Sequence, residues 1–146
     1  MTQVNVKRFV GLIFAVWMLI GCAQHSTGDN SLYNALGGGD GVRALVQNLL
    51  QRSLDDPRIR HHFAETDMER LEDKLVEQIC ELSGGPCRYS GDTMEKTHGG
   101  LHITEGDFNA LVEDLQLAMA ERDIPQNAQN QLLALLAPMR PQVIYR

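Results

Sequence analysis

The sequence predicts an all-α fold for residues 31–146, with four substantial helices. Apolar residues recur at steps of three and four in four separate segments, which is the period of an amphipathic helix. Glycine or proline stands close to the ends of these segments, where helices commonly begin or stop. No segment alternates between polar and apolar residues with period two, as a half-buried strand does.

Two of these helices lie in the first half of the region. The first has Asp40 as its candidate N-cap, and the second follows the capping-box pattern from Thr66 to Glu69. The pair Gly84-Gly85 ends the second helix. The apolar stripe of the first helix consists of Val42, Leu45, Val46, Leu49 and Leu50. The stripe of the second consists of Met68, Leu71, Leu75, Ile79 and Leu82.

The other two helices lie in the second half. The third is predicted to start at Thr104, with Asp107 in its first turn. The fourth begins near Pro125, a residue that the first helical turn tolerates, and stops before Pro138. The apolar stripes of these helices consist of Phe108, Leu111, Leu115 and Met119, and of Leu132, Leu133, Leu135 and Leu136.

The segment between the second and third helices, residues 86–103, has little apolar periodicity. A long, loosely structured segment inside a compact domain is usually functional. It contains His98 four residues after Met94, so a single helical turn would place both on one face, and Gly99-Gly100 would end that turn. On spacing alone, a lone histidine is more often a surface or core residue than a ligand.

Length and composition restrict the function classes. A chain of 146 residues corresponds to one domain. Its 22% charged and 43% hydrophobic residues are typical of a globular protein. The net charge is −6 and there is no basic cluster, which argues against nucleic-acid binding.

The N-terminal part is interpreted as a targeting segment. Lys7 and Arg8 precede a 12-residue apolar run, Phe9–Ile20, which is shorter than the roughly 20 residues that span a bilayer. The run ends in Leu19-Ile20-Gly21-Cys22, which resembles a bacterial lipobox. Residues 1–21 are therefore predicted to be a lipoprotein signal peptide, Cys22 the lipidated residue and residues 22–30 a flexible tether. An ordinary secreted protein and an uncleaved anchor remain alternatives. Ala23, rather than Asp, after the cysteine favours the outer membrane over the inner.

Common catalytic and metal motifs do not occur in the sequence, which has no HExxH, no CxxCH, no CxxC pair and no GxSxG. The order of several short segments is more informative. They are Leu32–Gly38 (LYNALGG), Phe63–Met68 (FAETDM), Gly84–Gly91 (GGPCRYSG), Met94–Thr104 (MEKTHGGLHIT) and a final helix that runs into Leu136-Ala137-Pro138. This order and spacing resemble the group 1 truncated haemoglobins over about residues 31–144.

The resemblance implies a two-over-two helical sandwich around haem b. His98 falls on the proximal iron ligand of the family, and a neutral imidazole nitrogen is a good ligand for haem iron. Phe63 falls on the ring that stacks on the porphyrin. The further porphyrin contacts implied by position are Thr66, Met68, Leu71, Leu75, Tyr89, Met94, Ile103, Phe108 and Leu111. Ordinary core packing is an equal alternative for the aliphatic ones. Tyr89, Lys74 and Lys96 are candidates to reach the haem propionates, since carboxylates need donors.

The sequence departs from the family on the side where the gas binds. Members that hold dioxygen tightly carry tyrosine and glutamine donors there, whereas the matching positions here are Leu50, Leu71 and Leu75. An apolar distal pocket is therefore expected. A shift of the alignment by one turn would restore a polar residue, one of Gln47, Gln51 and Gln78. Lys74 is a possible sixth iron ligand; the alternative is an exposed lysine near a propionate.

Cys80 and Cys87 are seven residues apart. In one continuous helix their α-carbons would be about 10.5 Å apart, too far for a disulfide. The Gly84-Gly85-Pro86 break between them allows a turn that brings them together. Outside the cytoplasm a disulfide is favoured, and it would fix the segment that leads to His98. Two free thiols are the alternative.

The sequence thus predicts a lipid-anchored haem protein of the bacterial cell envelope that faces the periplasm. It would reversibly bind oxygen, nitric oxide or carbon monoxide through ferrous haem b, with a reductant of unknown identity. An enzyme, either a nitric oxide dioxygenase or a peroxidase, is the first alternative, and the apolar distal positions argue against it. A six-coordinate redox or electron-transfer protein with Lys74 as ligand is the second. A haem-free interaction domain is the third.

Overall fold

The computed structural model describes residues 31–146, and the predicted signal peptide, the lipidated Cys22 and the tether lie outside these residues. All regular secondary structure in residues 31–146 is helical, without a strand, so the all-α prediction is confirmed. Its α-helices are α1 (Ser31–Ala35), α2 (Gly38–Asp55), α3 (Met68–Leu82), α4 (Met94–His98), α5 (Glu105–Glu121) and α6 (Gln126–Leu136). Two 3-10 helices span Arg60–Phe63 and Ala137–Gln142. Between residues 31 and 146 no helix combines the length and hydropathy needed to cross a membrane.

Helix α2 lies at the centre of the fold. It packs against both α3 and α5, while α6 contacts α1 and α3. The whole predicted stripe of α2 is buried, as are Met119 of α5 and Leu132 of α6. On α3 only Ile79 of the predicted stripe is fully buried. The other four apolar residues of that stripe are half-buried, which leaves part of an apolar face on α3 incompletely covered.

Two predicted N-caps are wrong. Helix α2 begins at Gly38, and its N-cap is Gly37, whose φ of 93° places it in the left-handed region that glycine adopts readily. Asp40 instead lies in the first turn, where a carboxylate is favourable beside the positive end of the helix. Helix α3 is capped by Asp67 rather than Thr66, because the Asp67 carboxylate accepts the backbone N–H of Arg70 at 3.1 Å.

The caps predicted for the last two helices agree more closely with the structure. Thr104 and Asp107 form a full capping box at the start of α5, in which each side chain accepts the backbone N–H of the other residue. Pro125 is the N-cap of α6. After Leu136 the chain does not leave the helix but continues as the second 3-10 helix, which contains Pro138.

The C-terminus returns to the segment that follows α4. The backbone N–H of Tyr145 donates to the carbonyl of Ile103 at 2.9 Å, and the N–H of Gly100 donates to the carbonyl of Arg146 at 3.0 Å. The loop after His98 is therefore fixed by hydrogen bonds to the last two residues of the chain.

Candidate functional site

His98 is the last residue of the five-residue helix α4. This helix starts at a local cap, since the hydroxyl of Thr93 accepts the backbone N–H of Lys96 at 3.3 Å. It ends at Gly99, and Gly100 has a φ of 81°, a left-handed conformation that turns the chain. The predicted single turn from Met94 to His98 is thus present.

The imidazole of His98 is oriented by its own helix. Its Nδ1 lies 2.7 Å from the backbone carbonyl oxygen of Met94. A carbonyl can only accept a hydrogen bond, so Nδ1 carries the proton in the neutral ring and the lone pair is on Nε2. Histidines that bind metals in proteins are commonly held in this way, with one ring N–H donating to a backbone carbonyl. The donor chemistry of His98 therefore fits an iron ligand through Nε2.

The large apolar side chains that the sequence assigned to the site share an intermediate exposure. They belong to the first 3-10 helix, to α3, α4 and α5, and to the loop before α5. The half-buried ones are Phe63, Met68, Leu71, Leu75, Met94, Ile103, Phe108 and Leu111. These elements carry more apolar surface than the core cluster covers, and a bound apolar group would remove such surface from water. A large, flat, apolar group such as a porphyrin fits this set. Thr66 and Tyr89 are half-buried as well.

Leu50 differs from the other two predicted distal residues. It is only 6% exposed and belongs to the central core cluster, whereas Leu71 and Leu75 pack against that cluster from its edge. Of the glutamines that a shifted alignment would bring in, Gln47 donates to Glu72 and Gln51 to Asp55, and both glutamines are exposed. Neither amide is therefore available to a buried ligand.

The Lys74 amine is held in an ion pair. Its Nζ lies 2.9 Å from both carboxylate oxygens of Glu77 and 2.6 Å from the Ser90 hydroxyl. The same bond from Lys74, with those from the backbone N–H and hydroxyl of Ser90, lowers the pKa of Glu77 to about 2. In these contacts the amine acts as a hydrogen-bond donor to Glu77 and Ser90, and an ammonium group has donors but no lone pair for iron. This arrangement does not support the sixth-ligand hypothesis for Lys74.

The other two propionate candidates have partners within the protein. The Tyr89 hydroxyl donates to the backbone carbonyl of Asp92 at 2.8 Å, and burial raises the pKa of this phenol. The Lys96 amine pairs with the Asp92 carboxylate at 2.6 Å. A haem propionate would have to compete with Asp92 for Tyr89 and Lys96, and with Glu77 for Lys74.

The chain between α3 and α4 is fixed by a disulfide. Cys80 and Cys87 are joined, with their α-carbons 5.7 Å apart, and Cys80 is 1% exposed. The turn at Gly84-Gly85 makes this approach possible. A Cβ at Gly85 would lie 2.6 Å from the Cys80 sulfur, so glycine is required there.

Two carboxylates of α3 that sequence reasoning missed hold the same segment. Glu77 accepts the backbone N–H of Ser90 at 2.9 Å, and Glu81 accepts the N–H of Tyr89 at 3.0 Å. In the sequence, only their spacing of four residues, which places both on one helix face, could have indicated that they act together. Together with the disulfide they position the segment that leads into α4 and His98.

Two cavities of the described residues lie away from His98. A polar cleft of about 590 Å³ beside α2 and α5 is lined by residues that include Arg52, Arg58 and Asp114. A groove of about 390 Å³ lies between Leu32, Leu82 and Leu135. Neither is lined by the apolar residues assigned to the site.

Comparisons with known proteins identify the family. The bacterial-like globin family matches residues 31–145. A group 1 truncated haemoglobin of Mycolicibacterium paratuberculosis is 31% identical over 113 residues, which cover 77% of this chain and 83% of that protein. The chain belongs to the group 1 truncated haemoglobins. A Nostoc relative named as a member of the same group is 34% identical over 95 residues, 65% of this chain and 80% of that protein.

Solved structures agree with this assignment. The truncated haemoglobin of Tetrahymena pyriformis in its Fe(III) form has a TM-score of 0.76 and 26% identity, over 79% of this chain and 98% of that chain. A 2/2 haemoglobin from a Synechococcus species with covalently attached haem has a TM-score of 0.74 and 26% identity over the same shares. The truncated-globin fold expected from the sequence is confirmed, and as a member of this family the chain is a haem protein.

Proposed function

We propose that this chain binds a diatomic gas reversibly, as a truncated haemoglobin whose haem b is held by His98. The hydrogen bond from His98 Nδ1 to the Met94 carbonyl carries the proposal, because it leaves Nε2 as a free, oriented ligand nitrogen. The gas would be oxygen, nitric oxide or carbon monoxide. When bound, ferrous haem would supply the iron to which such a gas binds.

The residues of the chain would orient the ligand nitrogen and keep water out. Helix α4 holds the imidazole, while the disulfide and the last residues of the chain fix the segments before and after that helix. Leu71 and Leu75 present aliphatic side chains from α3 and offer no donor or acceptor. An apolar site favours small, weakly polar molecules over water.

The direct experiment is the absorption spectrum of the full chain purified with haem, recorded in the ferric state, in the ferrous state and in the ferrous state with carbon monoxide. We expect a stoichiometric haem complex whose ferrous form is five-coordinate and takes up carbon monoxide at once. A protein that binds no stoichiometric haem would contradict the proposal.

Gas binding is proposed rather than catalysis. Peroxidase chemistry benefits from polar groups beside the peroxide, and nitric oxide dioxygenase chemistry from polar groups beside the oxygen; Leu71 and Leu75 supply none. The assay measures nitrate formation from nitric oxide over many turnovers, with a chemical reductant present. We expect its rate to be no higher than the rate at which the oxygen-loaded protein oxidises spontaneously. Sustained nitrate formation well above that rate would establish an enzyme instead.

We infer in addition that the domain is anchored in the cell envelope, facing the periplasm, through a lipid on Cys22. The lipobox-like sequence supports this inference, and so does the disulfide between Cys80 and Cys87, since disulfides persist mainly outside the cytoplasm. Mass spectrometry of the mature protein should find an acylated Cys22 at the N-terminus. Cys22→Ala should abolish the modification and release the domain from the membrane fraction. An unmodified Cys22 in the wild-type protein would contradict the anchor.

A further inference from the structure

The groove between α1, the end of α3 and α6 (the α6 groove) has a volume of about 390 Å³. Leu32, Leu82, Ala134 and Leu135 supply its apolar lining, and none of the described residues that line it is charged. Leu135 is 38% exposed, and Ala134 and Gln131 on the same helix are exposed as well. Apolar surface therefore faces outwards on this side of the domain.

The sequence of α6 carries no charge on either side of the helix. Residues 124–139, which include the whole of α6, contain no lysine, arginine, aspartate or glutamate, although 22% of the chain is charged. Burial accounts only for the inward side, which consists of Ala128, Gln129 and Leu132. The outward side of a surface helix ordinarily carries charged residues. An outward side without them, next to exposed leucine, is typical of a surface that contacts a partner.

The chain enters the domain at this groove. Leu32 is the second residue of α1, and Cys22, the proposed site of the lipid, precedes it by ten residues. Ten residues reach at most about 35 Å, and a folded domain of this size is itself about 35 Å across. An anchor at Cys22 therefore holds the α6 groove closer to the bilayer than the opposite side of the domain in most orientations.

Other occupants of the groove fit less well. Residues 22–30 are mostly polar and would not fill an apolar groove, and the apolar residues 9–20 are removed with the predicted signal peptide. A second copy of the chain would bring a net charge of −6 towards an equal charge, which opposes association. A bilayer needs little affinity of its own, because the lipid anchor makes its contact with the domain intramolecular.

We propose that the α6 groove is the surface with which the anchored domain contacts the bilayer. This inference rests on the proposed lipid anchor at Cys22. Leu82 and Leu135 would enter the boundary between headgroups and acyl chains, where amphipathic protein surfaces bury their apolar side chains. Uncharged amides of α6, such as that of Gln131, would lie among the headgroups. The acidic faces of the domain would stay in water, since anionic lipids repel them.

The test uses the full-length protein, matured in cells with its anchor and reconstituted in vesicles of phosphatidylethanolamine and phosphatidylglycerol. A fluorophore is attached to one introduced thiol, at Gln131→Cys beside the groove or at Gln116→Cys on α5 as the matched control, since both glutamines are exposed. The native cysteines do not compete, because Cys80 and Cys87 are bridged and Cys22 would be acylated. Quenching by lipids with a spin label near the headgroup is measured relative to the same protein in unlabelled vesicles.

We expect the label at position 131 to lose most of its fluorescence to these lipids and the label at position 116 to keep most of it. Leu135→Glu should reduce the quenching at position 131 to the control level, because a carboxylate resists transfer out of water. Leu117→Glu makes the same change at an exposed leucine of α5 and should have no effect. If Leu135→Glu does not fold, Ala134→Glu supplies the charge. Equal quenching at both positions, or quenching at position 131 that survives the added glutamate, would overturn the inference.

The Cys22→Ala protein, labelled at Gln131→Cys and studied without lipid, tests the other occupants. A water-soluble quencher should reach this label freely. Protection that increases with protein concentration would assign the groove to a second copy, and protection independent of concentration would assign it to another segment of the chain. Either result would overturn the inference.

Mass spectrometry of the wild type distinguishes this inference from the one on which it rests. An unmodified Cys22 would refute the lipid anchor and this inference with it. An acylated Cys22, with equal quenching at positions 131 and 116, would refute only the assignment of the α6 groove to the bilayer.

Discussion

Breaking the disulfide between Cys80 and Cys87 should destabilise the domain by a calculable amount. The two cysteines are seven residues apart, so the bond closes a short loop. Chain-entropy arithmetic for a loop of about eight residues gives roughly 2.5 kcal/mol at 25 °C. With an ordinary urea dependence of about 1–3 kcal/mol per molar, the unfolding midpoint should fall by about 0.8–2.5 M.

The assay is urea unfolding of the oxidised protein, the thiol-reduced protein and the Cys80→Ala/Cys87→Ala variant. Reduction of a Cys22→Ala protein controls for the third cysteine of the sequence. Because the disulfide fixes the segment before α4, haem should also dissociate faster from the reduced protein. Equal midpoints for the oxidised and reduced forms would refute the reasoning, since the loop constraint would then contribute nothing.

Three further predictions concern the same framework. The pKa of Glu77 is lowered to about 2, so the ionised carboxylate stabilises the fold above pH 4.5 and this effect is lost as the pH falls towards 2. The Glu77→Gln variant should therefore be less stable than the wild type above pH 4.5, and acid unfolding curves should show this difference vanish as the pH approaches 2. Gly41→Ala would place a Cβ 2.0 Å from the carbonyl oxygen of Leu36, and thermal unfolding should show a loss of at least about 1–3 kcal/mol in the free energy of unfolding. Gly106→Ala is the control, because a Cβ there makes only an ordinary contact; it should be neutral or stabilising. Lys74→Ala should leave the ferrous absorption spectrum unchanged, because the amine is paired with a carboxylate; loss of a six-coordinate spectrum would contradict this.

The helices could be predicted from the sequence because their burial is periodic. Every residue of the predicted α2 stripe is buried, since this helix packs against both α3 and α5. The caps of α2 and α3 were less predictable. Thr66 and Asp67 can both cap a helix, and only the geometry of the incoming chain decides between them. Asp40 has a capping side chain, but Gly37 accommodates the left-handed turn that precedes α2.

The site could be predicted only in part, for a different physical reason. His98 and the half-buried apolar residues assigned to the site follow from short segments in a recognisable order. The contacts of Glu77 and Glu81 do not, because their partners lie in the segment after α3 and charged side chains on a helix are usually solvated. Lys74 shows the same limit, since its place on α3 was predictable but its pairing with Glu77 and Ser90 was not.

The most direct test of the haem assignment is a haem titration of wild type and His98→Gly, followed by absorption in the ferrous state, with and without added imidazole. The wild type should bind one haem per chain. His98→Gly should retain little haem, and free imidazole, which fits the space left by the side chain, should restore both binding and the wild-type spectrum. Full haem binding by His98→Gly without imidazole, with an unchanged spectrum, would show that another residue holds the iron.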